Sequence, residues 1–293
     1  MYSEIKNDII RNWQNGDAYI RMIVINAAVF VFLIAIRLLA DSFLSGSLNN
    51  FLLTYLGFST RPTDLAWHPW TLISHMFVHL EIMHLISNLL LLNFAGRLLF
   101  HRTSNSIFYR IYFLSGLAGA LGLFLFDNTL VTSGLNWNYA IGIGCSACVM
   151  GCLVCATVLN PGERISLLFA GPIKLMYLTA FLLLIDFIYL YSGNTGGHIA
   201  HLAGSGFGWW YGQQMLQGKY PGNWVNKALG LLTIKSRSHL KVSHRRPLSD
   251  EDYNAQKLSK QAEIDHILDK ISRAGYDSLS KKEKDILHHA SKK

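Results

Sequence analysis

The sequence predicts an all-α protein that crosses a membrane several times. Of its 293 residues, 51% are hydrophobic and only 15% are charged, and the mean hydropathy is positive. Soluble domains of this length carry more charge and fewer long apolar segments. Six apolar runs, each near the length that crosses about 30 Å of hydrocarbon, lie at 22–44, 73–100, 107–127, 141–159, 175–191 and 197–217. We therefore expect a bundle of six transmembrane helices over 22–217.

The first run is expected to stay in the protein as a span. It follows a polar N-terminal segment, 1–21, and has no small-residue cleavage site behind it, so a removable signal peptide is disfavoured. Arg37 lies near the far end of the run, where its long side chain can extend to the membrane interface.

Lysine and arginine predict the orientation of the bundle. Lys6, Arg11 and Arg21 precede the first run, whereas 128–140 and 192–197 contain neither residue type. Positively charged loops remain on the cytoplasmic side of a membrane. Both termini are therefore expected in the cytoplasm, and the compact size with short loops favours the inner membrane of a bacterium over an organelle membrane.

The chain changes character after the last run. Residues 218–293 contain 16 of the 26 basic and 9 of the 18 acidic residues, a net charge of +7. We expect a basic linker over 218–248 that lies near anionic headgroups, followed by a cytoplasmic helical appendage over 249–293. Nucleic acid is not an expected partner, because no basic motif interleaved with aromatic residues is found.

Capping boxes and an apolar stripe predict two short helices in the appendage. Ser249 to Asp252 and Ser280 to Glu283 both have the spacing in which a serine and an acid cap a helix start. Gly275 can end the first helix. The apolar stripe on that helix consists of Ile264, Ile267, Leu268 and Ile271, and Ile286 and Leu287 offer a partner surface.

Polar side chains within the apolar runs are the candidates for function, because such groups are costly at membrane depth. The second run contains His84 and Asn88, four residues apart and hence on one helix face. The fourth begins IGIGCSACVMG, with Ser146, and the sixth reads GGHIAHLAGSGFG, with His201. Both runs enter from the outer side in the expected topology, so the serine and the histidine lie at similar depth.

This set of residues suits acyl transfer. A serine hydroxyl needs a base to remove its proton, and a neutral imidazole is suited to that task. We therefore interpret Ser146 as the nucleophile and His201 as the general base. His84, Asn88 and the backbone N–H of Ser146 are the candidate donors to the oxyanion. Gly204, with a second glycine four residues later, would let the sixth helix approach the fourth closely.

Three motifs on three runs together resemble the rhomboid intramembrane serine proteases. They are His84-x-x-x-Asn88, Gly144-x-Ser146, and Ala200-His201 followed by Gly204-x-x-x-Gly208. The resemblance covers about residues 22–217. It implies a rhomboid-like bundle of six spans and a Ser-His dyad without a third acidic member, with no metal and no cofactor. It also implies membrane-protein substrates whose helix unwinds easily near the cut, where small residues lie.

The sequence departs from the pattern of that family at three places. Ala147 follows the serine where the family often has glycine, and Met150 replaces an aromatic residue that supports the histidine ring. A common Trp-Arg pair is Trp70-Thr71 here. The resemblance implies looser positioning of the histidine and a change in loop stability rather than a loss of chemistry.

Two other function classes remain open. A non-catalytic rhomboid-like protein would bind transmembrane helices without cutting them. A metal or haem protein would use His75, His79, His84, His198 and His201, although we interpret His75, His79 and His198 as supports for the loop or the water path. Cys145, Cys148, Cys152 and Cys155 are expected to be packing residues, since one straight helix cannot supply four converging zinc ligands. The physiological substrate and the oligomeric state are not predicted.

Overall fold

The computed structural model describes residues 16–43, 48–167, 171–191, 193–232, 264–273 and 275–290. The chain divides into two units between residues 234 and 235. The predicted capping box that begins at Ser249, and most of the predicted linker 218–248, lie outside the described residues.

The first unit contains all the apolar helices. They are α1 (Ala18–Phe43), α2 (Leu48–Leu56), α3 (Pro62–Trp67), α4 (Thr71–Ser74), α5 (Ile82–Phe100), α6 (Asn105–Thr132), α7 (Ser146–Leu159), α8 (Leu175–Ile188), α9 (Thr195–Leu216) and α10 (Asn223–Leu232). Single 3₁₀ turns at His75–Phe77 and Tyr189–Tyr191 follow α4 and α8. Two antiparallel ribbons join β1 (Phe58–Ser59) to β2 (Ile141–Gly142) and β3 (Arg164–Leu167) to β4 (Gly171–Lys174).

Three helices of the described residues are long and apolar enough to cross a membrane. These segments are Ala18–Leu38 in α1, Ile82–Phe100, which is α5, and Asn105–Thr132, which is α6. Helix α7, and α8 together with its 3₁₀ turn, are apolar but shorter. Helix α9 has 22 residues, but its glycines, histidines and glutamines lower its hydrophobicity. The predominantly helical, membrane-type fold agrees with the sequence prediction.

Two helices begin later than the apolar runs that contain them. The second run opens with the end of α4 and the 3₁₀ turn at His75–Phe77, and its long helix begins only at Ile82. The fourth run becomes helical only at Ser146. The backbone before each helix makes contacts across the fold instead. The amide of Gly144 donates to the carbonyl of His75 over 2.8 Å, and strand β2 pairs with β1. The apolar composition of a run does not indicate these tertiary hydrogen bonds, so it did not predict where the helices begin.

Helix α7 lies in the core of the first unit, and α9 packs directly on its backbone. Every residue from Ala147 to Ala156 is buried. A Cβ added at Gly204 would lie 2.5 Å from the carbonyl oxygen of Ala147, and one at Gly208 would overlap with the carbonyl oxygen of Gly151. The predicted close approach of these two helices through glycine is therefore confirmed.

Cys145, just before α7, and the three cysteines of α7 are free thiols buried in the main hydrophobic cluster. The fully buried ring of Tyr112, from α6, belongs to the same cluster. The interpretation of the cysteines as packing residues is thus supported by their surroundings.

A buried carboxylate joins two connecting segments of the first unit. Asp127, at 0% exposure, accepts hydrogen bonds from the Thr60 hydroxyl (2.7 Å), the Trp137 indole N–H (2.9 Å) and the Ala140 amide (2.9 Å). Three donors satisfy a charge that would otherwise be costly to bury. Asp127 therefore holds the segment after β1 against the segment before β2.

The described part of the second unit contains two helices. Helix α11 spans 264–273, a 3₁₀ turn follows at Tyr276–Ser278, and α12 covers Lys281–Ala290. Gly275 has a positive φ of 77°, and its amide donates to the carbonyl of Ile271 over 2.9 Å, which confirms it as the residue that ends α11. In the predicted stripe Ile267 is buried, whereas Leu268 is half exposed.

The predicted capping box at the start of α12 is confirmed. The amide of Glu283 donates to the Ser280 hydroxyl (3.3 Å), and the amide of Ser280 donates to the Glu283 carboxylate (2.7 Å). The Lys270 ammonium of α11 donates to both oxygens of the same carboxylate, at 2.9 and 3.0 Å. Hydrogen bonds from Lys270 and then from Ser280 lower the pKa of Glu283 to about 2. One carboxylate thus caps α12 and links it to α11.

Replacing Gly208 by alanine should force α7 and α9 apart, because the new Cβ would overlap with the backbone of Gly151. We expect a loss of about 1–3 kcal/mol in stability, as for other overpacked cores. It would be measured as a lower unfolding temperature of the purified protein in detergent. Gly206→Ala is the matched control, since nothing lies within 4 Å of a Cβ at that position of the same helix. Equal unfolding temperatures for the two variants would contradict the close packing.

Candidate active site

A cavity of about 780 Å³ brings together the four residues that the sequence predicts as catalytic. Ser146, His201, His84 and Asn88 all contribute to its lining. They come from three different helices, α7, α9 and α5. The loop that precedes α7, together with residues 193–197, completes the wall.

Ser146 is the first residue of α7 and follows a turn that requires glycine. Gly144 has a φ of +100°, a conformation that side chains rarely adopt. A Cβ at Gly144 would also lie 2.7 Å from Cε1 of His84. Only glycine allows the imidazole of His84 to lie directly against the turn before the serine.

The N-terminus of α7 gives Ser146 a polar environment. The first amides of a helix have no intrahelical acceptor and carry a partial positive charge. The first hydrogen bond of this helix runs from the amide of Val149 to the carbonyl of Cys145 (3.0 Å). The amide of Ser146 therefore remains available to an anionic group at the serine.

His79 connects the turn before Ser146 to Asn88. Its Nε2 atom lies 3.1 Å from Nδ2 of Asn88 and 3.4 Å from the amide nitrogen of Cys145. Both of these partners are N–H donors, so Nε2 acts as the acceptor and the ring proton resides on Nδ1. The rings of His79 and His84 are 5.0 Å apart in an edge-to-face arrangement. His79 thus supports the loop and orients the Asn88 amide.

His75 supports the same turn from the other side. Its carbonyl accepts the amide of Gly144, and its Nδ1 lies 2.7 Å from the carbonyl oxygen of Thr71. A carbonyl can only accept, so this Nδ1 carries the proton. The supporting role that the sequence predicts for His75 and His79 agrees with these contacts.

The helices that carry Ser146 and His201 meet next to these two residues. A Cβ at Gly119 of α6 would lie 2.6 Å from Cβ of Ala147 and 2.9 Å from the carbonyl oxygen of Ala200. Ala147 and Ala200 are the direct neighbours of the serine and the histidine in the sequence. Within the described residues no hydrogen bond joins Ser146 to His201; both side chains face the shared cavity.

His201 has a carboxylate partner that the sequence analysis did not identify. Its Nδ1 lies 2.8 Å from Oδ1 of Asp186, and Nδ1 of His198 lies 2.8 Å from the same oxygen. The two imidazole rings are 5.8 Å apart and nearly perpendicular. The resemblance implied a dyad without an acidic member, but in the structure a carboxylate does contact His201. The sequence does contain a signal for Asp186, because it is a carboxylate within the apolar run 175–191. Such residues are rare at membrane depth unless they have a function.

A comparison with known families identifies the domain that contains the cavity. The model of the rhomboid domain matches residues 66–218, which is more than half of the chain. The chain belongs to the rhomboid family. Within its rhomboid domain lie α4 to α9 and the residues of the cavity and its supports described in this section. A family of unknown function (DUF6576) matches residues 249–293.

A plant protein is similar to much of this rhomboid chain. RHOMBOID-like protein 12, mitochondrial, from Arabidopsis thaliana is 24% identical over 208 residues. The matched region covers 67% of this chain and 58% of the plant protein. The chain therefore spans less than two thirds of that relative's length.

One cluster in the described part of the rhomboid domain could hold a metal ion. Asp186, His198 and His201 offer ligand atoms within 4.8 Å of one another. Two ligands of a tetrahedral ion, each about 2.1 Å from the metal, would lie about 3.4 Å apart. The observed 2.8 Å separations are those of hydrogen bonds from Nδ1–H to a carboxylate. The cluster also contains only two of the five histidines considered for a metal or haem site.

Replacing Gly144 by alanine should strain the turn before Ser146 and displace the ring of His84. We expect a loss of about 1–3 kcal/mol in stability, the usual cost of a side chain at such a φ. It would be measured as a lower unfolding temperature in detergent. Gly142→Ala is the matched control two residues upstream, because the nearest atom to its Cβ lies at an ordinary 3.4 Å. A Gly144→Ala protein as stable as this control would show that the turn tolerates a side chain.

Proposed function

We propose that this rhomboid protein is an intramembrane serine endopeptidase that hydrolyses peptide bonds in or near transmembrane segments. The observation that carries the proposal is the shared cavity of Ser146 and His201. Ser146 lies at the N-terminus of a buried helix, and His201 lines the same cavity with its Nδ1 bonded to a carboxylate. This is the constellation of a nucleophile, a base and a group that orients the base.

The reaction proceeds through an acyl-enzyme. The Ser146 hydroxyl oxygen attacks the scissile carbonyl carbon while Nε2 of His201 takes the hydroxyl proton. His201 then gives this proton to the leaving amine as the C–N bond breaks. A water molecule attacks the resulting ester, with His201 again as base, and the carboxylic acid product leaves as Ser146 regains its proton.

Donors around Ser146 stabilise the tetrahedral intermediate. The amide of Ser146 has the partial positive charge of the helix terminus. Asn88 uses one N–H on His79 and retains a second for the oxyanion, since a carboxamide has two. His84 contributes its ring from the wall of the cavity. Each such donor is worth about 3–4 kcal/mol in other hydrolases.

We propose that α1, α5, α6, α7, α8 and α9 are six spans, with both termini in the cytoplasm. Helix α7 has 14 residues, about 21 Å of helix, which is shorter than the roughly 30 Å of hydrocarbon. Its surface is covered by neighbouring helices rather than by lipid. A short central helix places Ser146 below the membrane surface, where the cavity can admit water.

We propose the inner membrane of a bacterium as the location. The plant relative is a mitochondrial protein by its name, so an organelle membrane is the alternative. The substrates would be membrane proteins whose helix unwinds readily near small residues. We propose no metal, cofactor or nucleic acid as a partner.

A non-catalytic protein that binds transmembrane helices is the second candidate function. The observation that favours it is the lack of a hydrogen bond between Ser146 and His201 in the described residues. Catalytic hydrogen bonds are often long before substrate binds, so this observation weighs less than the shared cavity.

Ser146→Ala and His201→Ala should each lower cleavage of a single-span substrate by more than about 10³-fold, because each removes one half of the nucleophile–base pair. The measurement is the initial cleavage rate in proteoliposomes at equal amounts of folded protein.

Ser205→Ala and His101→Ala are the matched controls. Ser205 is a buried serine on α9, and His101 is exposed at the end of α5; both variants should cleave at the wild-type rate. A wild-type protein that binds but does not cleave several substrates would favour the second candidate function. Cleavage that survives both catalytic substitutions would contradict the assigned nucleophile and base.

A further inference from the structure

We infer that Asp186 is a positioning residue for the general base, so that the site operates as Ser146, His201 and Asp186 in series. The inference rests on the proposed protease function. It adds to that function a third group, on a helix, α8, that carries none of the residues predicted from the sequence.

The contact between Asp186 and His201 sets the tautomer of the imidazole. Oδ1 of the carboxylate lies 2.8 Å from Nδ1 of His201. An ionised carboxylate can only accept, so Nδ1 carries the ring proton and Nε2 has a free lone pair. A free lone pair on Nε2 is what the removal of the Ser146 proton requires. The same bond fixes the plane of the ring.

His198 holds the carboxylate in position. Its Nδ1 lies 2.8 Å from the same oxygen of Asp186. The Asp186 side chain is only 8% exposed, and a charge in such a site needs hydrogen bonds to offset its lost hydration. Two imidazole N–H groups supply them. His198 and His201 lie three residues apart on α9, so that helix presents both donors to α8.

The surroundings of Asp186 favour a specific role over general solvation. Helix α8 reads LMYLTAFLLLIDFI, in which Asp186 is the sole ionisable side chain apart from Tyr177. A carboxylate in an apolar helix is energetically costly unless it has partners. The other buried polar residue of α8, Thr179, bonds to Thr157 of α7 (2.7 Å), away from the lining of the cavity.

The test compares Asp186→Asn, Asp186→Glu and Thr179→Val with the full-length wild type. Thr179→Val is the matched control, since it removes a buried hydrogen bond of the same helix without contact to the site. Three quantities are measured: kcat and KM for a single-span substrate in proteoliposomes, the rate at which a fluorophosphonate labels Ser146, and the unfolding temperature.

Asp186→Asn should lower kcat and kcat/KM by the same factor, about 10²–10⁴-fold, as expected when an imidazole loses its orienting carboxylate. The labelling rate should fall in parallel, and Asp186→Glu should recover part of both. Thr179→Val should lower the unfolding temperature while it keeps the wild-type kcat and labelling rate.

Two outcomes would overturn the role of Asp186 while the protease function stands. One is a wild-type kcat in Asp186→Asn. The other is a stoichiometric metal ion in the purified wild type that Asp186→Asn lacks, which would make the cluster a metal site. A wild type that neither cleaves substrate nor labels at Ser146 would overturn the protease function itself and the inference with it.

Discussion

The contact between the backbones of α7 and α9 is the constraint on which the rest of the first unit depends. Gly204 and Gly208 let the two helices approach until carbonyl oxygens occupy the space that side chains would take. Without a hydrophobic driving force between helices in lipid, such dense packing is a main source of their association. It also brings Ser146 and His201 to one cavity, because Ser146 is next to Ala147 at the contact and His201 lies about one turn before Gly204.

Two buried carboxylates in this core are satisfied by small, separate networks. Asp127 joins two connecting segments through three donors, and Asp186 joins α8 to α9 through two histidines. Each network lies where irregular backbone or the cavity interrupts the apolar packing. Buried polar groups in membrane proteins are tolerated under that condition. The carboxylates of Asp127 and Asp186 thus join segments of the domain to one another.

The sequence predicted the helical membrane fold and the four residues Ser146, His201, His84 and Asn88 of the cavity lining, because short motifs encode them directly. The motif glycine Gly144 has a positive φ, and the motif glycines Gly204 and Gly208 lie at the close contact between α7 and α9. The break between the 3₁₀ turn at His75–Phe77 and α5 was not predictable, because the backbone there contacts a distant segment, as in the hydrogen bond from the amide of Gly144 to the carbonyl of His75. Asp186 could be noticed in the sequence as a carboxylate within an apolar run, but its contact with His201 on another helix could not.

The Nε2 atom of His79 accepts hydrogen bonds from two groups, which makes the cavity wall sensitive to acid. Its Nε2 faces the N–H groups of both Asn88 and Cys145. A proton added to that nitrogen would set three donors against one another and remove the acceptor from both at once. The Asn88 amide and the turn before Ser146 would then lose their anchor in a single event. Proton uptake by the His79 imidazole would thereby release two separate parts of the cavity wall together.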